Sequence, residues 1–247
     1  MVIIISVDGN IGSGKSTFVA QLKKQLRWIK NMKIIYLQEP VKEWESFVDK
    51  ATNENILQKF YTNPDNWSFS FQMMAYISRV AQLKNIITKH KNDNYVIITE
   101  RSVLTDKNVF AKMLYDAKKI HDIDYQIYTR WFNEFTQDIK ISGIIYVYTS
   151  AEKCHTRIVK RNRKGENIPI EYLKRCHEYH QNWLNSYDDK LIIDNEVDAD
   201  SNNKLNIMKI ELVKDFISDF IKNKDDVNVN VNECEVLTKN YMESINF

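Results

Sequence analysis

Glycine, proline and cysteine are scarce in this chain, and each scarcity excludes something. Five glycines and three prolines in 247 residues leave little turn chemistry for long irregular loops. Cys154, Cys176 and Cys234 are odd in number and far apart, which argues against a disulfide framework and for a reducing, cytoplasmic setting. Long apolar runs are missing as well. The longest, 143–148, falls far short of a bilayer span, so no membrane partner is expected. Charge of one sign is also absent: the formal net charge is +2, which gives no reason to expect a nucleic-acid partner. Met1 runs directly into the first apolar stretch, leaving no room for a signal or transit peptide. There is no internal repeat.

What remains is an alternation. Short apolar runs at 2–7, 33–37, 95–99, 143–148 and 190–193 read as strands. Amphipathic segments at 15–30, 53–60, 68–91, 103–118, 122–139, 151–162, 169–186 and 205–222 read as helices. Continuous rather than alternating apolar strands suit a sheet covered on both faces. The expected class is α/β, a central five-stranded parallel sheet flanked by helices. One domain is expected over 1–223. Residues 224–247, including DDVNVNVNECEV, read as a polar, weakly specified tail.

The first strand runs into GNIGSGKST, residues 9–17. Gly9, Gly12 and Gly14 in this spacing, followed by Lys15 and Ser16, match the phosphate-cradling loop that opens a helix. Backbone N–H groups of Asn10, Ile11, Ser13 and Thr17 belong to the same nest. Lys15 would reach the β- and γ-phosphates of a nucleoside triphosphate, and Ser16 would ligate Mg²⁺. Two further strands end in carboxylates, Glu39 and Glu100, at the sheet edge where ligands bind in such folds. After the fourth strand comes RIVKRNRK, an acid-free run with Arg157, Arg161 and Arg163. Beside a phosphate loop it reads as a lid over triphosphate.

These motifs resemble one family: the cellular and viral deoxyribonucleoside kinases related to deoxycytidine, deoxyguanosine and mitochondrial thymidine kinases. The resemblance covers roughly residues 2–222 and rests on GNIGSGKST, EPVKEW, NPDNWSFSFQMMAYISR, ERSVLTDKNVFAK and RIVKRNRKGENIPIEYL. It implies a P-loop kinase with an arginine-rich lid that uses ATP and Mg²⁺, acts on small nucleosides and forms a homodimer. By the same resemblance Glu39 is the general base on the sugar 5′-hydroxyl. Arg101 steadies that base and the moving phosphoryl group, and Glu100 organises Mg²⁺. Tyr61 and Glu166 would hold the 3′-hydroxyl. Gln72 would read the base edge, between walls formed by Trp44, Phe71 and Phe110. The loop near 195–198 would lie against the donor base. The lid loop between Arg163 and Ile168 is one residue shorter than in the deoxycytidine kinase pattern, and the tail after about 223 has no counterpart there.

Ala75, Arg79 and Asp106 bear on the choice of base. In the family, an Arg and an Asp at these places accompany cytosine or purine bases, and thymidine-accepting members are apolar there. Other classes fit less well. A thymidylate-type kinase would need a cationic site for its acceptor phosphate. A GTP switch would need D-x-x-G, which the chain lacks, although NKDD at 223–226 mimics its guanine motif. A zinc site from Cys154-His155 and Cys176-His177 with His180 has no tetrahedral spacing.

Overall fold

The computed structural model describes residues 1–163, 166–197 and 206–222. The tail 224–247, NKDD at 223–226, Cys234 and Asp198 lie outside the described residues. The sheet has six strands, not five: β1 (Val2–Asp8), β2 (Trp28–Ile29), β3 (Met32–Leu37), β4 (Tyr95–Glu100), β5 (Gly143–Tyr148) and β6 (Lys190–Asp194). Their order is β2-β3-β4-β1-β5-β6. The five expected strands are all present and pair in parallel. The extra strand, β2, is antiparallel to β3.

That extra strand shortens the first helix. α1 spans Lys15–Gln25 rather than 15–30, because the chain turns back on itself. Lys30 and Asn31 both take left-handed backbone, φ 41° and 64°, the pattern of a two-residue hairpin turn whose twist matches its strands. No glycine marks it, so the sequence pattern reads through.

Helices cover both sheet faces. α1 and the helix at 206–222, α10, pack on the face presenting Ile3, Ile5 and Val7, through Phe18, Leu22, Val213 and Ile217. The opposite face presents Ile4, Ile97 and Ile144 to Leu83 and Leu184. These last two lie on α4 (Pro64–Lys89) and α9 (Ile170–Asn185). Odd and even positions of β1 thus serve different cores, which is why its run is continuously apolar.

β1 lies between β4 and β5; the connection after β1 runs to one side of it, to β2 and β3, and the connection after β4 crosses to the other, to β5. The crevice at such a reversal, beyond the strand C-termini, is the ligand site of open parallel sheets. Around it stand short helices α2 (Val41–Glu45) and α3 (Ile56–Thr62). The expected helix 103–118 is broken into α5 (Val103–Thr105), a π-helical stretch Asp106–Ala111, and α6 (Lys112–Asp116). Wider π turns recur at functional sites, and this one buries Asp106, Val109 and Phe110 together. α7 (Asp122–Thr136) and α8 (Ala151–Arg161) complete the set.

Candidate active site

α1 begins where β1 ends, and the loop between them sets one end of the site. Gly14 caps α1 with φ 93°, a left-handed backbone that a side chain would strain. At Gly12 a Cβ would stand 2.6 Å from the Cys154 carbonyl oxygen of α8, so the loop can pack on that helix only without one. Lys15 is buried and donates to the Asn10 carbonyl at 2.7 Å. Burial pushes its ammonium down to about 7, Arg101 adding to the effect and Glu100 and Glu39 opposing it. The Ser16 hydroxyl donates to Glu100 Oε1 at 2.5 Å. A hydroxyl and a carboxylate converging beside a phosphate loop form an all-oxygen donor pair, which suits Mg²⁺.

Next to the loop sits Glu39, past β3. Its carboxylate accepts from Arg79 Nη2 at 2.5 Å and lies 3.5 Å from Arg101 Nε. Burial works against this charge, but Arg79, Arg101 and Lys15 outweigh it and hold the carboxyl at about 2. Arg101 has left-handed backbone, φ 62°, and donates to the Gly9 carbonyl at 2.8 Å. Strain of this kind in a bulky residue clusters at functional sites. Its guanidinium lies 4.8 Å over the Phe110 ring.

The long helix α4 supplies the base end. Asn63 caps it by accepting from Asn66 N at 3.3 Å, and Pro64 occupies its first turn, so it starts earlier than 68. Phe71, Gln72, Ala75 and Arg79 share its inner face and line one cavity of about 820 Å³ with Glu39, Trp44, Tyr61, Asp106 and Phe110. Phe71 meets Trp44 edge-on at 5.7 Å. Trp67 packs on the cluster that holds Phe71 and Trp44, whereas Phe69 packs in a different one. Gln72 is buried with its Oε1 unpartnered, a costly condition that a ligand can relieve. Arg79 Nε lies 3.0 Å from Asp106 Oδ2. Burial pushes the Asp106 carboxyl up to about 6, with Arg79 pulling it down and Glu39 adding to the rise.

The basic run divides by role. Arg157 donates to Asn195 O at 2.8 Å and to Ser13 O at 3.2 Å, so it pins the phosphate loop to the end of β6. Arg161 pairs with Glu166 at 2.6 Å. Arg163 lines the cavity, and so does Lys160.

All the site residues expected from sequence therefore border one cavity or its loop. Sequence reasoning missed others. Phe60 lines the cavity and stacks on Phe71 at 4.6 Å. Tyr172, Leu57 and Val41 line it too; Val41 adjoins Glu39-Pro40, the one available clue. Asp8 is buried, accepting from Ser6 Oγ at 2.6 Å and from Thr105 Oγ1, and ties the start of the loop to α5. Cys154 and Cys176 are buried free thiols. Among the described residues, no group of three or more His, Cys, Asp or Glu could hold a metal ion. No helix among them is long and apolar enough to cross a membrane.

The sequence is similar to those of known nucleoside kinases. A deoxycytidine kinase 1 from Xenopus laevis is 38% identical over 198 residues, 73% of this chain and 73% of that one. A deoxycytidine kinase 2 from Gallus gallus is 35% identical over 237 residues, 88% of this chain and 85% of its own. A mitochondrial deoxyguanosine kinase from Xenopus laevis is 32% identical over 199 residues, 73% and 72% of the two chains. A family model described as deoxynucleoside kinase matches residues 5–235, so the match continues past 222. With a phosphate loop at one end of its cavity, a carboxylate between two arginines beside that loop, and a family match along most of its length, the chain belongs to the deoxynucleoside kinases, a family of phosphotransferases.

Proposed function

We propose that this kinase transfers the γ-phosphoryl group of ATP to the 5′-hydroxyl of a 2′-deoxynucleoside carrying cytosine, adenine or guanine, within nucleotide salvage. The observation that carries this reading is the buried Arg79–Asp106 pair lining the cavity, with the Gln72 Oε1 unpartnered in the same lining. Cytosine and adenine offer an exocyclic amino group to Asp106. Guanine can use the same pair through O6. Thymine would present O4 to a carboxylate and a methyl to the Arg79 side chain. A polar site left unpaired rejects a mismatched base strongly.

The sugar would lie between Tyr61, Glu166 and Glu39, its 5′-hydroxyl towards the phosphate loop. Glu39 orients that hydroxyl and takes its proton. Held at about 2, it is a weak base, which a loose phosphoryl transition state tolerates because positioning and charge neutralisation dominate. Lys15, Arg101, Arg161 and Arg163 supply positive charge around the moving group, the last two from a lid formed by the end of α8 and its following loop. Ser16 and Glu100 would hold Mg²⁺, which neutralises charge on the β- and γ-phosphates when bound. Closure keeps water from competing as acceptor.

A homodimer is part of the proposal. Ile123, Ile127, Trp131 and Phe135 recur every fourth residue on α7 and are all exposed. Ile77 of the neighbouring α4 is exposed too. A single stripe on two packed helices suits a self-complementary two-fold contact.

A thymidylate-type kinase is the competing reading. It needs a free cation near the acceptor end, and Arg79 and Arg101 are already engaged there with Glu39. Coupled ADP-release assays with each deoxynucleoside and each deoxynucleoside monophosphate separate the two. Turnover with deoxycytidine, deoxyadenosine or deoxyguanosine is expected. Turnover with monophosphates alone would overturn the reading.

A further inference from the structure

Sequence reading gives Glu166 and Arg161 separate tasks, one at the sugar and one at the phosphate. The structure joins them. Arg161 Nη2 lies 2.6 Å from both Glu166 oxygens, and Nε donates to Oε2 at 3.1 Å. Such a fork fixes the plane of the guanidinium as well as its position. The two partners are unequal. Glu166 is 5% exposed and Arg161 38%, so the carboxylate is the anchored member and the arginine the aimed one. The Glu166 amide also donates to the Arg163 carbonyl at 3.1 Å. On its other side Glu166 lies near Tyr61, where burial first, then the Glu166 and Glu39 charges, push the phenol well above its ordinary range. Glu166 thus stands between the sugar end and the phosphate end of a single cavity.

We propose that Glu166 is a positioning residue for phosphoryl transfer: its carboxylate aims Arg161 at the donor phosphates, so that occupancy of the sugar subsite and the charge set at the phosphate subsite are coupled through one side chain. This rests on the nucleoside kinase reading above. An ionised carboxylate has about four acceptor positions. A fork from Arg161 leaves lone pairs for a sugar hydroxyl, so one group can serve both ends at once. A hydroxyl bound there would also hold the Glu166 rotamer, and with it Arg161. Conversely, an arginine released from Glu166 leaves a carboxylate with little access to water, which is unfavourable.

The test uses the full chain with Mg·ATP and two acceptors, a 2′-deoxynucleoside and its 2′,3′-dideoxy counterpart. The second lacks the hydroxyl that Glu166 would hold. Glu166→Gln should still lower kcat and raise the KM for ATP on the dideoxy acceptor, by about tenfold or more in kcat/KM. On that acceptor the double variant Glu166→Gln, Arg161→Ala should be no worse than Arg161→Ala alone, because both changes break one unit. Arg161→Ala, at a more exposed position, gives the reciprocal reading: it should shrink the preference for the deoxy over the dideoxy acceptor. Binding of a non-hydrolysable ATP analogue with no nucleoside present should weaken in Glu166→Gln. If that variant matches wild type on the dideoxy acceptor and on the analogue, or if the two changes simply add, the coupling is refuted and Glu166 serves the sugar alone. Failure of wild type to phosphorylate any deoxynucleoside would instead refute the nucleoside kinase reading.

Discussion

Arg79 Nη2 lies 2.5 Å from Glu39 Oε1. The arginine that the sequence assigns to base choice therefore also grips the carboxylate assigned to proton abstraction. The same guanidinium reaches Asp106 through Nε, and Nη1 donates to the Glu100 carbonyl at 3.0 Å. Under the proposed function, base recognition and chemistry would not be separable around it.

Arg79→Met should consequently lower kcat with every nucleoside, by about tenfold or more, and not merely relax selectivity. Removing one partner of a buried pair costs about 3–5 kcal/mol; here Asp106 loses its arginine and Glu39 keeps only Arg101, at 3.5 Å. Adding Ala75→Val and Asp106→Ala removes the orphaned charge. In that triple variant the thymidine to deoxycytidine ratio of kcat/KM should rise, although absolute rates stay below wild type. Full kcat in Arg79→Met, or an unchanged ratio in the triple variant, would detach these residues from their roles.

If Asp106 faces the base as proposed, base choice should be sensitive to pH. Its ordinary value is 3.8, and burial pushes it up to about 6 against Arg79. The groups facing it are Arg79, Glu39, Arg101 and Asp8, with Tyr128 of α7 feeling its charge. A carboxyl raised in the folded state stabilises the fold below its unfolded value, and that contribution is lost as pH rises through about 6. Asp106→Asn should therefore gain stability relative to wild type between pH 4 and pH 7, read as the difference in Tm. Once protonated, Asp106 can donate to thymine O4. Lowering the pH from about 7.5 to about 5.5 should raise thymidine relative to deoxycytidine by roughly tenfold or more. A flat ratio would show that Asp106 does not face the base.

The exposed stripe on α7 predicts a subunit contact. Trp131 stacks on Phe135 at 5.5 Å, and large aromatics at the centre of an interface carry much of its energy. Trp131→Glu should shift the protein from dimer to monomer in light scattering or sedimentation. A wild-type monomer, or a variant dimer of undiminished stability, would show that the stripe serves something else.

Local chemistry was legible in the sequence; pairings across distance were not, apart from Arg79 with Asp106, which the family resemblance implied. The phosphate loop could be read because its glycines mark left-handed backbone and its lysine follows at fixed spacing. Glu39 and Glu100 could be read because each ends a continuous apolar strand. β2 could not, since Lys30 and Asn31 make its turn without glycine. The π turn at Asp106–Ala111 sits inside an ordinary helical pattern, and only packing widens it. Arg79 and Glu39 are 40 residues apart, and no local rule joins them. Arg157 read as one of several lid cations because charge is visible in sequence, while the backbone carbonyls it binds are not.

The most direct test of the account is Glu39→Gln in a single-turnover assay. The enzyme is loaded with labelled deoxycytidine and Mg·ATP, and the affinity for each is measured separately. Glutamine keeps the shape of the side chain and a hydrogen bond to Arg79, but cannot take the proton. The account predicts affinities close to wild type and a chemical step slower by about 10²–10⁴-fold. A chemical step within a fewfold of wild type would contradict it and take Glu39 out of the reaction.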